Sequence, residues 1–271
     1  MAEVAVNELT TYRWTFEQDV HNYAAAGVSA IGVWRDKLAD FGEERGIELI
    51  RDRGLKVSSL LWAGGFTGAD GRSYKESVQD GRQAVRLAGA LEARCLVVYS
   101  GGRGIHTFNH ARRLLCNAVK ELLPLAEEFG VDLALEPMHA ACAGNWTFLT
   151  DLDQTLDIIQ AVGSPRVKLA FDSYHLGLDP RVLDRIAEVA PLTALVQLGD
   201  GRHPPQREQN RCCLGDGCVP VESLVSEFLR HGYNGYFEVE LMGEEIEATD
   251  YHELLRKSCQ FLQPLLRPKT A

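Results

Sequence analysis

Two stretches of the sequence share a pattern of apolar residues followed by an acid and a histidine, LALEPMH and LAFDSYH. Each starts as a short apolar run typical of a buried strand and ends in a carboxylate, Glu136 in the first and Asp172 in the second. A histidine, His139 or His175, follows three residues after each acid. Carboxylates and imidazoles at strand ends can bind a metal ion or transfer a proton.

Two later apolar runs also end in polar residues. TALVQLGD offers Gln197 and Asp200, and GYFEVEL offers Glu238 and Glu240. Because side chains alternate along a strand, Glu238 and Glu240 lie on the same side, and Glu240 is nearer the carboxyl end. We therefore take Gln197 and Glu240 as the candidate ligands, with Asp200 in the following loop and Glu238 supporting Glu240 or lying deeper.

These side chains can meet only if their strands are neighbours in a parallel sheet. Eight apolar runs predict strands over residues 4–9, 30–34, 55–61, 95–99, 131–136, 167–172, 193–198 and 235–241. Amphipathic stretches between them predict helices over residues 15–26, 43–53, 74–89, 108–129, 150–161, 180–190, 221–230 and 251–262. Thr15 is expected to cap the first helix, and Thr150 with Asp153 resembles a capping box.

The strict alternation of strands and helices, without a linker, predicts an α/β protein. We expect one (β/α)8 TIM barrel domain over residues 1–271. A doubly wound sheet is the alternative, but it would usually carry a glycine-rich dinucleotide fingerprint after its first strand, where this chain has NELTTYRW.

The net charge, the lengths of the apolar runs and the cysteines indicate which classes of partner and compartment fit this protein. The formal net charge of −10 argues against nucleic acid, and no apolar run approaches the length of a membrane span. Seven scattered cysteines are an odd number in a long chain, which fits reduced thiols and a cytoplasmic protein. The nearby Cys212, Cys213 and Cys218 form no paired CxxC zinc motif.

Side chains at four consecutive strand ends of a barrel converge on one small volume, because adjacent strands lie about 5 Å apart. Carboxylates gathered there repel one another unless a cation neutralises them. A set of carboxylates with one amide oxygen is oxygen-rich, so we expect one divalent metal ion, with Mn²⁺ favoured and Mg²⁺, Co²⁺ or Zn²⁺ as alternatives.

The segments LALEPMH, LAFDSYH, VQLGDGR and NGYFEVEL resemble the sugar isomerase/epimerase-like superfamily of xylose isomerase-like TIM barrels. The opening VNELTTYRWTFEQDV and the stretch AAGVSAIGVW resemble it too, so the resemblance covers nearly the whole chain. It implies that Glu136, Asp172, Gln197 and Glu240 bind the metal and that His175 contacts a substrate oxygen. Many members carry histidine where this chain has Gln197.

The expected activity is that of a metal-dependent isomerase or epimerase acting on a ketose, keto-acid or related sugar through an enediolate. Glu136 and Glu240 are the expected catalytic bases, with His175 assisting at an oxygen. A metal-dependent lyase or dehydratase, resembling inosose dehydratase or an enzyme that eliminates from 3-keto-glycosides, is the alternative. A sugar-binding barrel without catalysis and an apurinic endonuclease are further alternatives.

Other residues are expected to bind the substrate. Trp14 and Trp62 can wall a pocket against the C–H face of a sugar, and His139 lies in the loop after the fifth strand. The long loop over residues 200–218 carries Arg202 and further arginines, including Arg211, which could grip an anionic group. We expect a small-molecule sugar or keto-acid as the partner, with no nucleic acid and no membrane; assembly into a homo-oligomer is an open possibility.

Overall fold

Eight parallel strands close a barrel in the order in which they occur along the chain. The structure is a computed structural model and describes residues 2–144 and 146–267. The strands are β1 (Glu3–Asn7), β2 (Ala30–Trp34), β3 (Lys56–Gly64), β4 (Cys95–Tyr99), β5 (Asp132–Leu135), β6 (Val167–Asp172), β7 (Thr193–Leu198) and β8 (Tyr236–Val239). Pairing of β8 with β1 closes the ring, which confirms the predicted TIM barrel.

Long helices follow the strands and cover the outside of the barrel. The helices are α1 (Phe16–Ala25), α2 (Arg35–Phe41), α3 (Glu43–Asp52), α4 (Tyr74–Ala90), α5 (Phe108–Phe129), α6 (Ala140–Ala143), α7 (Leu152–Val162), α8 (Ser173–Leu176), α9 (Val182–Val189), α10 (Val221–Arg230), α11 (Glu244–Glu247) and α12 (Tyr251–Leu266). The short helices α2, α6, α8 and α11 were not predicted, because so few residues carry little helical periodicity.

The starts of two helices test the predicted caps. Thr15 caps α1 as expected, and its hydroxyl accepts a hydrogen bond from the backbone N–H of Gln18. The predicted cap of α7 was wrong, because Asp151 and not Thr150 precedes the helix and accepts from the Gln154 N–H at 2.8 Å. The charged carboxylate of Asp151 satisfies the first turn, and Gln154 reaches back to the Thr150 N–H at 3.2 Å.

The hydrophobic core is divided between the outside and the inside of the barrel. The larger part packs strand side chains against helices, as in the edge-to-face contact of Phe171 in β6 with Phe228 in α10, whose ring centroids lie 5.0 Å apart. A smaller cluster from five strands includes Leu61, Val97 and Leu195. No helix within the described ranges is both long and apolar enough to cross a membrane.

Candidate active site

The register of the last strands places the predicted polar residues side by side. Asp172 at the end of β6 pairs with Gln197 in β7, and Gln197 pairs with Glu238 in β8. Glu240 follows β8, and its backbone N–H donates to the carbonyl of Leu198 at 3.0 Å. The strand ends therefore bring these side chains to one side of the barrel mouth.

Glu136, Asp172 and His175 form a cluster of potential metal ligands. One ligand atom from each lies within 4.8 Å of the others, and all three residues are buried. Asp172 caps the short helix α8 by accepting from the Tyr174 N–H at 2.8 Å. His175 lies in this helix, three residues after Asp172. Nε2 of His175 lies 3.7 Å from Oδ2 of Asp172.

Glu240 is held beside this cluster by three donors. Its carboxylate accepts from Nδ2 of Asn7 at 3.0 Å and from Nε2 of Gln197. Nη2 of Arg211 lies 3.2 Å from Oε1 of Glu240. Because the amide nitrogen of Gln197 points at Glu240, its amide oxygen is left available for another partner.

Arg211 is the site residue that sequence reasoning did not single out. Its side chain is fully buried, Nη2 donates to Oδ2 of Asp172 at 2.8 Å, and Nη1 donates to the Glu240 carbonyl at 2.7 Å. The guanidinium carbon lies 4.7 Å from the centre of the Tyr174 ring. Nothing in the sequence distinguishes Arg211 from the other arginines of the same loop.

Asp200 explains why this loop turns inward. Its Oδ1 accepts from the backbone N–H groups of Gly201 and Val219 at 2.8 and 3.1 Å. Its Oδ2 accepts from those of Gly215 and Gly217, both at 3.0 Å. One buried carboxylate thus ties the start of the loop to its end, and Arg211 lies between these anchored segments.

Glu238 lies deeper, inside the barrel. Its carboxylate accepts from the hydroxyls of Ser58 and Ser59 at 2.6 and 2.8 Å and from Nδ2 of Asn7 at 2.8 Å. Burial raises the pKa of Glu238, and these hydrogen bonds oppose the shift. Glu238 is therefore satisfied by uncharged donors and supports Glu240 through their shared partner Asn7.

Burial and mutual repulsion shift the protonation of the site. Burial raises the pKa of Glu136 well above its usual range, and the charges of Glu240 and Asp172 raise it further. Burial raises the pKa of Glu240 to about 8, although Arg211 opposes this. Burial lowers the pKa of His175 to about 4, so its imidazole is neutral at pH 7 and has a lone pair to offer.

The donor set fits a divalent cation. Within the described part of the chain, Oε1 of Gln197 and both ring nitrogens of His175 are buried without a hydrogen-bond partner. Such atoms normally have a partner, and a metal ion would supply one. Charge leads to the same conclusion, because Arg211 offsets one of the carboxylates of Glu136, Asp172 and Glu240, and a divalent ion would offset the other two.

Glu136 and Glu240 both line a cavity of about 410 Å³ at the carboxyl end of the barrel. Its walls include six aromatic residues, among them Trp62, which was expected to contact substrate. His139 lies at the start of α6, where its Nδ1 accepts from the Ala141 N–H at 3.2 Å.

Four expected substrate-binding residues, His139, His175, Arg202 and Trp14, are not among the residues that line this cavity. Arg202 is exposed, and its guanidinium is paired with Glu245 at 2.7 Å. Trp14 packs edge-on against Tyr251, with ring centroids 5.3 Å apart. These partners account for the positions of Arg202 and Trp14 without a ligand.

The chain belongs to the xylose isomerase-like TIM barrel family, whose model matches residues 20–265. It is 24% identical over 273 residues to an inosose isomerase of Bacillus velezensis, covering 94% of this chain and 93% of that protein. It superposes on the crystal structure of protein SMc04130 from Sinorhizobium meliloti 1021 with a TM-score of 0.87 and 27% identity, covering 97% and 98% of the two chains. The IOLI protein with a bound zinc atom gives a TM-score of 0.84 at 17% identity, with coverage of 97% and 98%.

Proposed function

We propose that this protein is a divalent-metal-dependent isomerase or epimerase that acts on a ketose or related sugar through an enediolate. The supporting observation is that Glu136 and Glu240 line one cavity and both have raised pKa values. A carboxyl group whose pKa is raised above its usual range holds a proton more readily and can both take and return one. The similarity to an inosose isomerase supports the same reaction class.

In the proposed reaction, one of these carboxylates removes the proton from the carbon beside the substrate carbonyl. Return of a proton to the same carbon from the opposite side gives epimerisation, and return to the neighbouring carbon gives isomerisation. Neutral His175 can donate a hydrogen bond to a substrate oxygen as charge develops there. A bound divalent ion would polarise the carbonyl and make the adjacent C–H more acidic.

We propose Glu136, Asp172, Gln197 and Glu240 as the metal ligands, and the cluster geometry adds His175 as a competing candidate. The oxygen-rich set favours Mn²⁺, whereas ligation by the imidazole would suit Zn²⁺ or Co²⁺ better. Elemental analysis of the purified variants His175→Ala and Glu240→Gln separates the two sets. If His175 contacts only substrate, His175→Ala retains its metal and Glu240→Gln loses most of it; the reverse result would assign His175 to the metal.

Exchange of solvent deuterium tests the reaction. The metal-loaded protein is incubated with a panel of ketoses and inososes in D₂O, and the recovered sugar is analysed by mass spectrometry. We expect deuterium at the carbon beside the carbonyl, with at least about a hundredfold loss of exchange in Glu136→Gln and Glu240→Gln. Glu247→Gln is the matched control, because Glu247 lines the same cavity and is exposed.

The other candidate functions predict different results. A lyase would release an unsaturated product, and a sugar-binding barrel would bind sugar without any exchange of deuterium. The inosose isomerase relative gives the lyase less support than the isomerase. Absence of exchange with every sugar of the panel, in protein shown to contain metal, would contradict the proposal.

A further inference from the structure

The cavity above Glu136 and Glu240 has walls that suit a particular substrate class. Two separate aromatic groups contribute to its lining. Tyr12 stacks on Trp34 with centroids 5.7 Å apart, and Trp146 contacts Trp62 and Tyr99 at 5.7 and 5.6 Å. All of these residues line the cavity that the two catalytic carboxylates share.

The outer members of both groups are unusually exposed for such large side chains. Tyr12 is 55% exposed and Trp146 is 46% exposed. Exposed aromatic residues grouped around a concave site often mark a surface that binds a ligand. Leu9, Met138 and Ile246 add further apolar side chains to the lining.

The charged groups of the lining all have one sign. Glu208 and Glu247 join Glu136 and Glu240, and none of the described residues that line the cavity is a lysine, arginine or histidine. Arg211, the nearest buried cation of the site, is already engaged by Asp172 and Glu240. A phosphate or carboxylate that lies away from the proposed metal site would therefore meet Glu208 and Glu247 without a lysine, arginine or histidine among the described lining residues.

The larger part of the lining is aromatic or apolar, and beyond Glu136 and Glu240 the non-aromatic polar side chains come from Thr10, Glu208, Gln209 and Glu247. The Tyr99 hydroxyl accepts from Arg72 at 3.0 Å, and the Tyr251 hydroxyl accepts from Arg13 at 3.3 Å. A second sugar ring would bring several hydroxyls that lose water on entering, and each needs a partner. A flat ring without hydroxyls gains from stacking and requires no such partners.

We infer that the substrate is an uncharged sugar that carries an aryl group, with the sugar ring at Glu136 and Glu240 and the aryl ring between the aromatic walls. This inference rests on the proposed function for the placement of the reacting ring. It extends that function by a preference for sugars that carry a large apolar substituent over phosphorylated and acidic sugars.

Binding to the metal-loaded protein tests the inference without turnover. Phenyl β-D-glucopyranoside, methyl β-D-glucopyranoside and glucose 6-phosphate are titrated by calorimetry. We expect the phenyl glycoside to bind at least about tenfold more tightly than the methyl glycoside, as one or two aromatic contacts would give. Glucose 6-phosphate is expected to bind most weakly.

A pair of variants locates the aryl subsite. Trp146→Ala should remove most of the preference for phenyl over methyl while leaving the methyl glycoside's affinity within about twofold. Phe129→Ala is the control, because Phe129 is a similarly exposed aromatic residue at the end of α5, and it should change neither affinity.

Three results would overturn the inference: equal binding of the phenyl and methyl glycosides, tighter binding of glucose 6-phosphate, or no saturable binding of the phenyl glycoside. The proposed function fails separately. Deuterium exchange into a simple ketose without a phenyl preference would refute only the aryl subsite. A phenyl preference without exchange of any sugar would refute only the isomerase.

Discussion

The side-chain amide of Asn7 connects the inside of the barrel to its mouth. Nδ2 of Asn7 donates to Oε1 of Glu238 at 2.8 Å and to Oε2 of Glu240 at 3.0 Å. Its own Oδ1 accepts from the Leu9 N–H at 3.0 Å, which fixes the orientation of the amide. One residue at the end of β1 thus positions a carboxylate that follows β8.

Replacement of Asn7 tests this connection. Asn7→Ala leaves two buried carboxylates short of a donor, and we expect the free energy of unfolding to fall by about 1–3 kcal/mol. Urea denaturation measures the change. Ser29→Ala is the control, because the Ser29 hydroxyl donates only to the Val4 carbonyl in a half-buried position; equal losses in both variants would contradict the special role of Asn7.

Arg211 is expected to stabilise the protein strongly. Arg211→Met leaves Asp172 and Glu240 without their buried cation, and removal of one partner from such a pair costs about 3–5 kcal/mol. Arg202→Met removes an exposed pair with Glu245 and should cost less than about 1 kcal/mol. Chemical denaturation of both variants checks the difference, and a loss below 1 kcal/mol for Arg211→Met would refute the assigned role.

The pH dependence of stability should reveal the repulsion in the site. Burial raises the pKa of Glu240 from 4.5 to about 8 in the folded protein. The protonated carboxyl group therefore contributes its full stabilisation below pH 4.5, and this stabilisation is lost as the pH rises through about 8. Stability of the chelator-treated protein should therefore fall over this range. Added Mn²⁺ should reduce the fall, because a cation favours the carboxylate. If the urea midpoint falls with pH to the same extent with and without Mn²⁺, the prediction is contradicted.

A second buried ion pair lies between α1 and α2. Nζ of Lys37 contacts Oδ2 of Asp19 at 2.6 Å, and burial raises the pKa of Asp19 to about 6 although Lys37 opposes this. Lys37→Met should cost about 3–5 kcal/mol at pH 8, where Asp19 is ionised, and less at pH 5, where it is largely protonated.

The control for this pair is Lys56→Met, which removes an ion pair with Glu3. The Lys56 side chain is 59% exposed, so this pair lies at the surface. Its effect should stay below about 1 kcal/mol at both pH values. A Lys37→Met loss that does not change between pH 5 and pH 8 would show that Asp19 does not titrate in this range.

Much of the fold could be predicted because parallel strands buried on both faces are nearly continuous apolar runs. Four strands, β2, β4, β6 and β7, begin and end at the predicted residues. The carboxylates at the strand ends could be predicted for the same reason, since a polar residue closing an apolar run marks the mouth of the barrel.

The inward turn of Arg211 could not be predicted. It depends on four backbone hydrogen bonds to Asp200 from glycine and valine residues up to 19 positions away in sequence. No periodicity or composition records such contacts. An arginine in a long charged loop is ordinarily exposed, as Arg202 of the same loop is in this structure.

The anchoring by Asp200 separates two parts of the loop that can change independently. Glu208 and Gln209, near the tip of the loop, line the cavity. The ends of the loop on either side of Arg211 are held together by the hydrogen bonds to Asp200. Insertions or exchanges around residues 203–209 should therefore redirect selectivity without disturbing the reaction centre. A designer seeking new substrates would replace residues at that tip and keep Asp200 and its hydrogen bonds intact.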